Sequence, residues 1–154
     1  MYYYLILFHS LFRWLALIAL ILTIGQALIG YSKKKNFLKR NNLFRHGTAT
    51  LFHIQLIIGV LLLVKSPIVQ YFWRDFKSGI ENIELLFFGL WHPFLMLISI
   101  VVITIGSAKA KRETEDTKKF KTILIWYSIG LIILFLAIPW SFSPFVSRPN
   151  FRAF

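Results

Sequence analysis

The sequence contains no cysteine. Disulfides, iron–sulfur clusters, thiolate haem ligation and the CxxCH attachment of c-type haem are therefore excluded. Any metal or haem must be held through nitrogen or oxygen. Acid is also scarce, with 6 Asp and Glu against 18 Lys and Arg. The motifs GxSxG, GxxxxGK[ST] and HExxH are absent, so hydrolase and nucleotide-binding readings have no footing.

Hydrophobic side chains, by contrast, make up 57% of the 154 residues, and the mean hydropathy is +0.66. Four long apolar runs carry that value, separated by short charged stretches. A bilayer core about 30 Å thick takes about 20 apolar residues as a helix, and lipid offers no partner for open backbone groups. The expectation is an all-α integral membrane four-helix bundle forming one domain. Its helices are predicted over about 3–31, 42–64, 80–107 and 122–138. Asn42 is expected to cap the second helix, Pro67 to follow it, and Pro139 and Pro144 to punctuate the end of the fourth. Met1–Leu7 carries no charge, so a cleavable signal is not expected and the first helix should stay in the chain.

The net charge of +12 suits a membrane protein without any nucleic-acid partner, because Lys and Arg gather in cytoplasmic loops and along anionic headgroups. The first loop holds Lys33, Lys34, Lys35, Lys39, Arg40 and Arg45, and the third Lys109, Lys111, Arg112, Lys118, Lys119 and Lys121. The second loop has only Lys65, Arg74 and Lys77, and the tail only Arg148 and Arg152. This asymmetry predicts a bacterial inner-membrane protein with loops one and three cytoplasmic and both termini outside. Tyr2, Tyr3, Tyr4, Tyr71, Phe72, Trp73, Trp140 and Phe142 are expected at the outer interface.

Polar side chains inside a membrane helix need a reason. Here they are His9 and Arg13 in the first helix, His46, His53 and Gln55 in the second, and His92 in the third. Counting from Val64, His53 lies about 16 Å from the outer end of its helix; counting from Ile83, His92 lies about 14 Å in. The pair is thus predicted at one level on adjacent antiparallel helices, a geometry that clamps a metal or haem iron between two imidazoles. His9, nearer the outer surface, is the alternative to either ligand or part of a second site. Arg13, one turn from His9, wants an anion, either a haem propionate or Glu84. Small and polar stripes support inward-facing histidines. His9, Ala16, Thr23 and Gly30 interleave with Arg13, Leu20 and Ala27 on the first helix. Gly89, His92, Met96, Ser99, Ile103 and Gly106 align on the third. The plainer alternative makes the histidines interhelical hydrogen-bond partners, His46 an interfacial residue and Gln55 a contact to a neighbouring backbone. A proton relay ranks last, since Glu84 alone brings a carboxylate to the bundle.

HSLFRW at His9–Trp14, HIQLIIGV at His53–Val60, WHPFLMLISIVVITIGSAKAK at Trp91–Lys111 and IPWSF at Ile138–Phe142, followed by Ser147-Arg148-Pro149, resemble segments of a small four-helix membrane protein family of Bacteroidota. That family is commonly labelled "cytochrome B", and the resemblance spans essentially the whole chain. It implies b-type haem and electron transfer, with His9, His53 and His92 as the family histidines and Arg13 as its buried arginine. It also implies a partner within the membrane, a quinone or a larger protein complex. One departure is visible: the family pattern has an acidic residue before the third-helix histidine, where this chain has Trp91. A carboxylate orienting that imidazole must then be replaced by another group or be missing. The alternative function is a non-catalytic subunit or assembly factor of a larger inner-membrane complex.

Overall fold

The computed structural model describes residues 2–143 and 146. Pro144, Ser147-Arg148-Pro149 and Arg152 lie outside the described residues. Four stretches are long and apolar enough to cross a membrane: Tyr2–Ser32, Lys39–Lys65, Ile83–Arg112 and Asp116–Ala137. They pack as an all-α bundle, a multi-pass membrane protein. The elements are α1 (Tyr2–Ser32), α2 (Lys39–Lys65), α3 (Pro67–Arg74), α4 (Phe76–Glu81), α5 (Ile83–Leu86), a π-helical turn (Phe87–Trp91), α6 (His92–Arg112) and α7 (Asp116–Ala137). The end with the α1–α2 and α6–α7 connections is the basic end; the other is the distal end.

α1 stops at the basic end through a left-handed Lys34 (φ 46°), which lets the Lys35 N–H reach back to the Gly30 carbonyl at 3.0 Å. α2 starts earlier than expected. Leu38, not Asn42, is its cap, and the Asn41 side chain accepts the Leu38 N–H at 3.0 Å. Asn42 lies inside the helix, with its Oδ1 turned to Arg45. At the distal end, the Ser66 N–H still closes on the Leu62 carbonyl. Pro67 then opens α3 at the one position where its missing N–H costs nothing.

The segment expected as a plain second loop is folded. α3 and α4 dock on the start of the third span through Phe72, which is fully buried against the protein. A Cβ on Gly79 or Gly89 would run into its ring. The π turn has a cause in the sequence. Pro93 cannot donate to the Gly89 carbonyl four residues back, and the His92 N–H closes on Phe87 instead, five residues back.

The long helices pair antiparallel. Polar side-chain pairs between α1 and α2 include His9 with Gln55, Thr23 Oγ1 with Thr48 Oγ1 at 2.8 Å, and Gln26 with Asn41 at 3.1 Å. α6 and α7 close through glycine. Gly106 lies against Trp126, and Gly130 lies against Ile103 and accepts the Ser99 hydroxyl at 2.8 Å on its carbonyl. The small-residue stripe of α1 is buried at Ala16, Leu20, Thr23, Ala27 and Gly30. That of the third span is buried at Gly89, Ser99, Ile103 and Gly106.

Candidate functional site

A largely apolar cavity of about 490 Å³ occupies the distal half, between α1, α2, α3 and the third span. Its few polar groups are His9, Ser10, Arg13, Gln55, Ser66 and His92. His9 and His92 meet there, ring centres 6.3 Å apart and planes at 71°. The π turn and Pro93 set the angle at which His92 leaves its helix. Its Nδ1 is 2.7 Å from the Ala137 carbonyl, an acceptor only, so Nδ1 donates and Nε2 carries the lone pair. The group that orients this imidazole is therefore a backbone carbonyl and not a carboxylate. Phe87 and Phe88 flank the same ring, at 5.8 and 6.2 Å.

His9 is held from α2. The Gln55 amide nitrogen is 2.9 Å from the His9 carbonyl and 3.2 Å from its Nδ1. The Gln55 Oε1 is buried with no hydrogen-bond partner. Gly59 gives the ring room: a Cβ there would touch His9 Cε1 at 3.5 Å. Arg13, one turn along, lines the same cavity, its guanidinium 5.4 Å from the Trp14 ring centre.

His53 is elsewhere, and the expected pairing of His53 with His92 is not formed. The His53 Nε2 contacts the Thr104 hydroxyl at 3.0 Å, and its side chain is exposed in a second cleft toward the basic end. Thr104 is twelve residues beyond His92, about 18 Å along the helix. The depth count failed because Ile83 does not stand level with Val64. Residues 83–91 lean on α3, past the end of α2, so His92 sits level with the last turns of α2. As a ligand pair for one metal, His53 and His92 are too far apart. His46 shares the second cleft with His53. Among the described residues, no three His, Asp or Glu side chains are grouped to hold a metal ion.

The residues of the cavity fit a haem held by two imidazoles. In length alone, the 6.3 Å between ring centres matches two metal–imidazole bonds of about 2 Å each. His92 already presents its Nε2 lone pair. Were His9 to hold a metal through Nε2, its proton would sit on Nδ1, the atom that the Gln55 amide nitrogen now faces. Arg13 is the cation at hand for a carboxylate.

Sequence reading missed Arg45, which it counted with the first loop. The side chain is only 4% exposed. It donates to Asn42 Oδ1 at 3.1 and 2.9 Å and to the Ser107 carbonyl at 2.9 Å, and it also bonds the Ser107 hydroxyl. The buried Tyr127 hydroxyl donates to the Arg45 carbonyl at 2.7 Å. The available signal was Asn42 three residues before an arginine, opposite a small polar residue on the third span. No protein-family model, no curated protein and no solved structure matches this chain.

Proposed function

We propose that this protein is a membrane b-type cytochrome that carries electrons, with haem b held between His9 and His92. The observation that carries the reading is the 6.3 Å separation of two imidazoles from different helices inside an apolar cavity. A haem held by these two residues would supply one-electron exchange. Ala137 fixes the tautomer and angle of His92, and Gln55 ties the His9 backbone and ring to α2. Arg13 offers its charge to a propionate. The remaining wall is aliphatic and aromatic and keeps water out. The loops are short, so the electron partner is a quinone or a larger complex in the same membrane. The basic end faces the cytoplasm of a bacterial inner membrane, as the Lys and Arg distribution favours.

The test is a dithionite-reduced minus air-oxidised spectrum of protein purified in detergent after haem-supplemented expression. A paired α/β spectrum is expected for the native chain and for His53→Ala, and its loss for His9→Ala and for His92→Ala. A colourless native protein overturns the cytochrome reading. A band lost in His53→Ala and kept in His9→Ala overturns the ligand assignment.

A further inference from the structure

A cleft of about 380 Å³ lies between α2 and α6 at the basic end, remote from the histidine pair. Its polar lining includes Arg45, His46, Thr50, His53, Ser107 and Lys111, and no carboxylate is among its lining residues. We propose that this cleft binds the phosphate of an anionic phospholipid headgroup. The proposal does not depend on the haem reading.

The argument starts at Arg45. A guanidinium has five N–H groups, and four of them have named acceptors here, all of them neutral. The side chain is thus fixed in place and buried while its charge meets only dipoles. Burying a charge is costly unless an anion or a dense set of hydrogen bonds repays the lost hydration. Lys111, in the last turn of α6, brings a second cation to the same cleft. The chemistry called for is a multi-oxygen anion, to which Arg and Lys both bind well.

Geometry selects a lipid over a soluble anion. His46, Thr50, His53 and Lys111 line the cleft with exposed side chains, on helix faces that a bilayer covers. From Lys111 to Thr104 the cleft runs seven residues, about 10 Å, into the span. A headgroup phosphate fits at the Asn42, Arg45 and Lys111 end. Its glycerol esters then lie level with Thr50, whose exposed hydroxyl can donate to an ester carbonyl, and beside the His53–Thr104 pair, which bond each other.

The full-length protein, delipidated in neutral detergent, is titrated with phosphatidylglycerol, phosphatidylcholine or inorganic phosphate. Thermal unfolding and native mass spectrometry are the readouts. Phosphatidylglycerol is expected to raise the unfolding midpoint and to stay bound in single copy, whereas phosphatidylcholine does neither. Lys111→Gln should weaken phosphatidylglycerol retention about tenfold, the worth of one charge-assisted hydrogen bond. Thr104→Val, which keeps every cation, should weaken it less. Lys34→Gln, outside the cleft, should leave it unchanged. Equal retention of the two lipids, or equal effects of Lys111→Gln and Lys34→Gln, overturns the proposal. An equal gain from millimolar inorganic phosphate assigns the cleft to a free anion and overturns the lipid.

Discussion

Arg45, Ser107 and Tyr127 join three spans by hydrogen bonds at the basic end. Tyr127 is fully buried, and its hydroxyl donates to a carbonyl on another helix. Tyr127→Phe keeps the ring and removes only that donor. The expected loss is about 0.5–1.5 kcal/mol, read as a lower mole fraction of SDS at the unfolding midpoint. Much of the distal site was legible residue by residue. A histidine and an arginine one turn apart on an apolar helix, and a histidine before a proline on another, are too costly in lipid to be idle. Their partners were not legible. Ala137 contributes a backbone carbonyl, which leaves no mark in a sequence, and the choice between His9 and His53 turned on the register of α6 against α2. Arg45 was hidden for a related reason. The helix starts three residues before the expected cap, which turns a presumed loop cation into a buried one.

Among the elements, α6 and α7 make the closest pair, and glycine makes that closeness. A Cβ on Gly106 would overlap Trp126, and one on Gly130 would stand 2.6 Å from Ile103 Cγ1. Gly25 and Gly47 have nothing within 4 Å of such a Cβ. Gly106→Ala and Gly130→Ala should therefore each destabilise the bundle by about 1–3 kcal/mol. Gly25→Ala and Gly47→Ala should be neutral or stabilising by up to about 1 kcal/mol. The same SDS titration separates the two pairs, and equal behaviour would mean that α6 and α7 do not pack this closely. The four spans were readable because about 20 apolar residues in a row have few other uses. The short helices were not. α3 and α4 are 8 and 6 residues long, mix charge with aromatic side chains, and owe their place to Phe72 seated between two glycines distant in sequence. Shifting the start of the third span past α2 is what set the histidine levels, so a missed pair of small helices led directly to matching His53, in place of His9, with His92.

For the whole molecule, the open question is which end faces the cytoplasm. Large apolar side chains such as Ile18, Ile21, Leu22, Ile57, Ile132 and Leu136 remain exposed around the bundle, and lipid is what covers them. That belt sets depth but not direction. Direction rests on charge, with Lys33, Lys34, Lys35, Lys109, Lys111 and Arg112 at the basic end against Arg74 and Lys77 on the distal short helices. Because the chain has no cysteine, one introduced thiol is a clean reporter. Asn36→Cys and Thr114→Cys mark the two basic connections, and Ser78→Cys marks α4, all at exposed positions. With a membrane-impermeant maleimide on intact cells carrying a permeable outer barrier, Ser78→Cys should label at once. The other two should label only after the membrane is opened. That result puts the histidine pair in the outer half of the bilayer and the Arg45 cleft in the cytoplasmic leaflet, next to its supply of anionic lipid. The reverse pattern would turn the bundle over. It would carry the histidine pair to the cytoplasmic half and the Arg45 cleft to the outer leaflet.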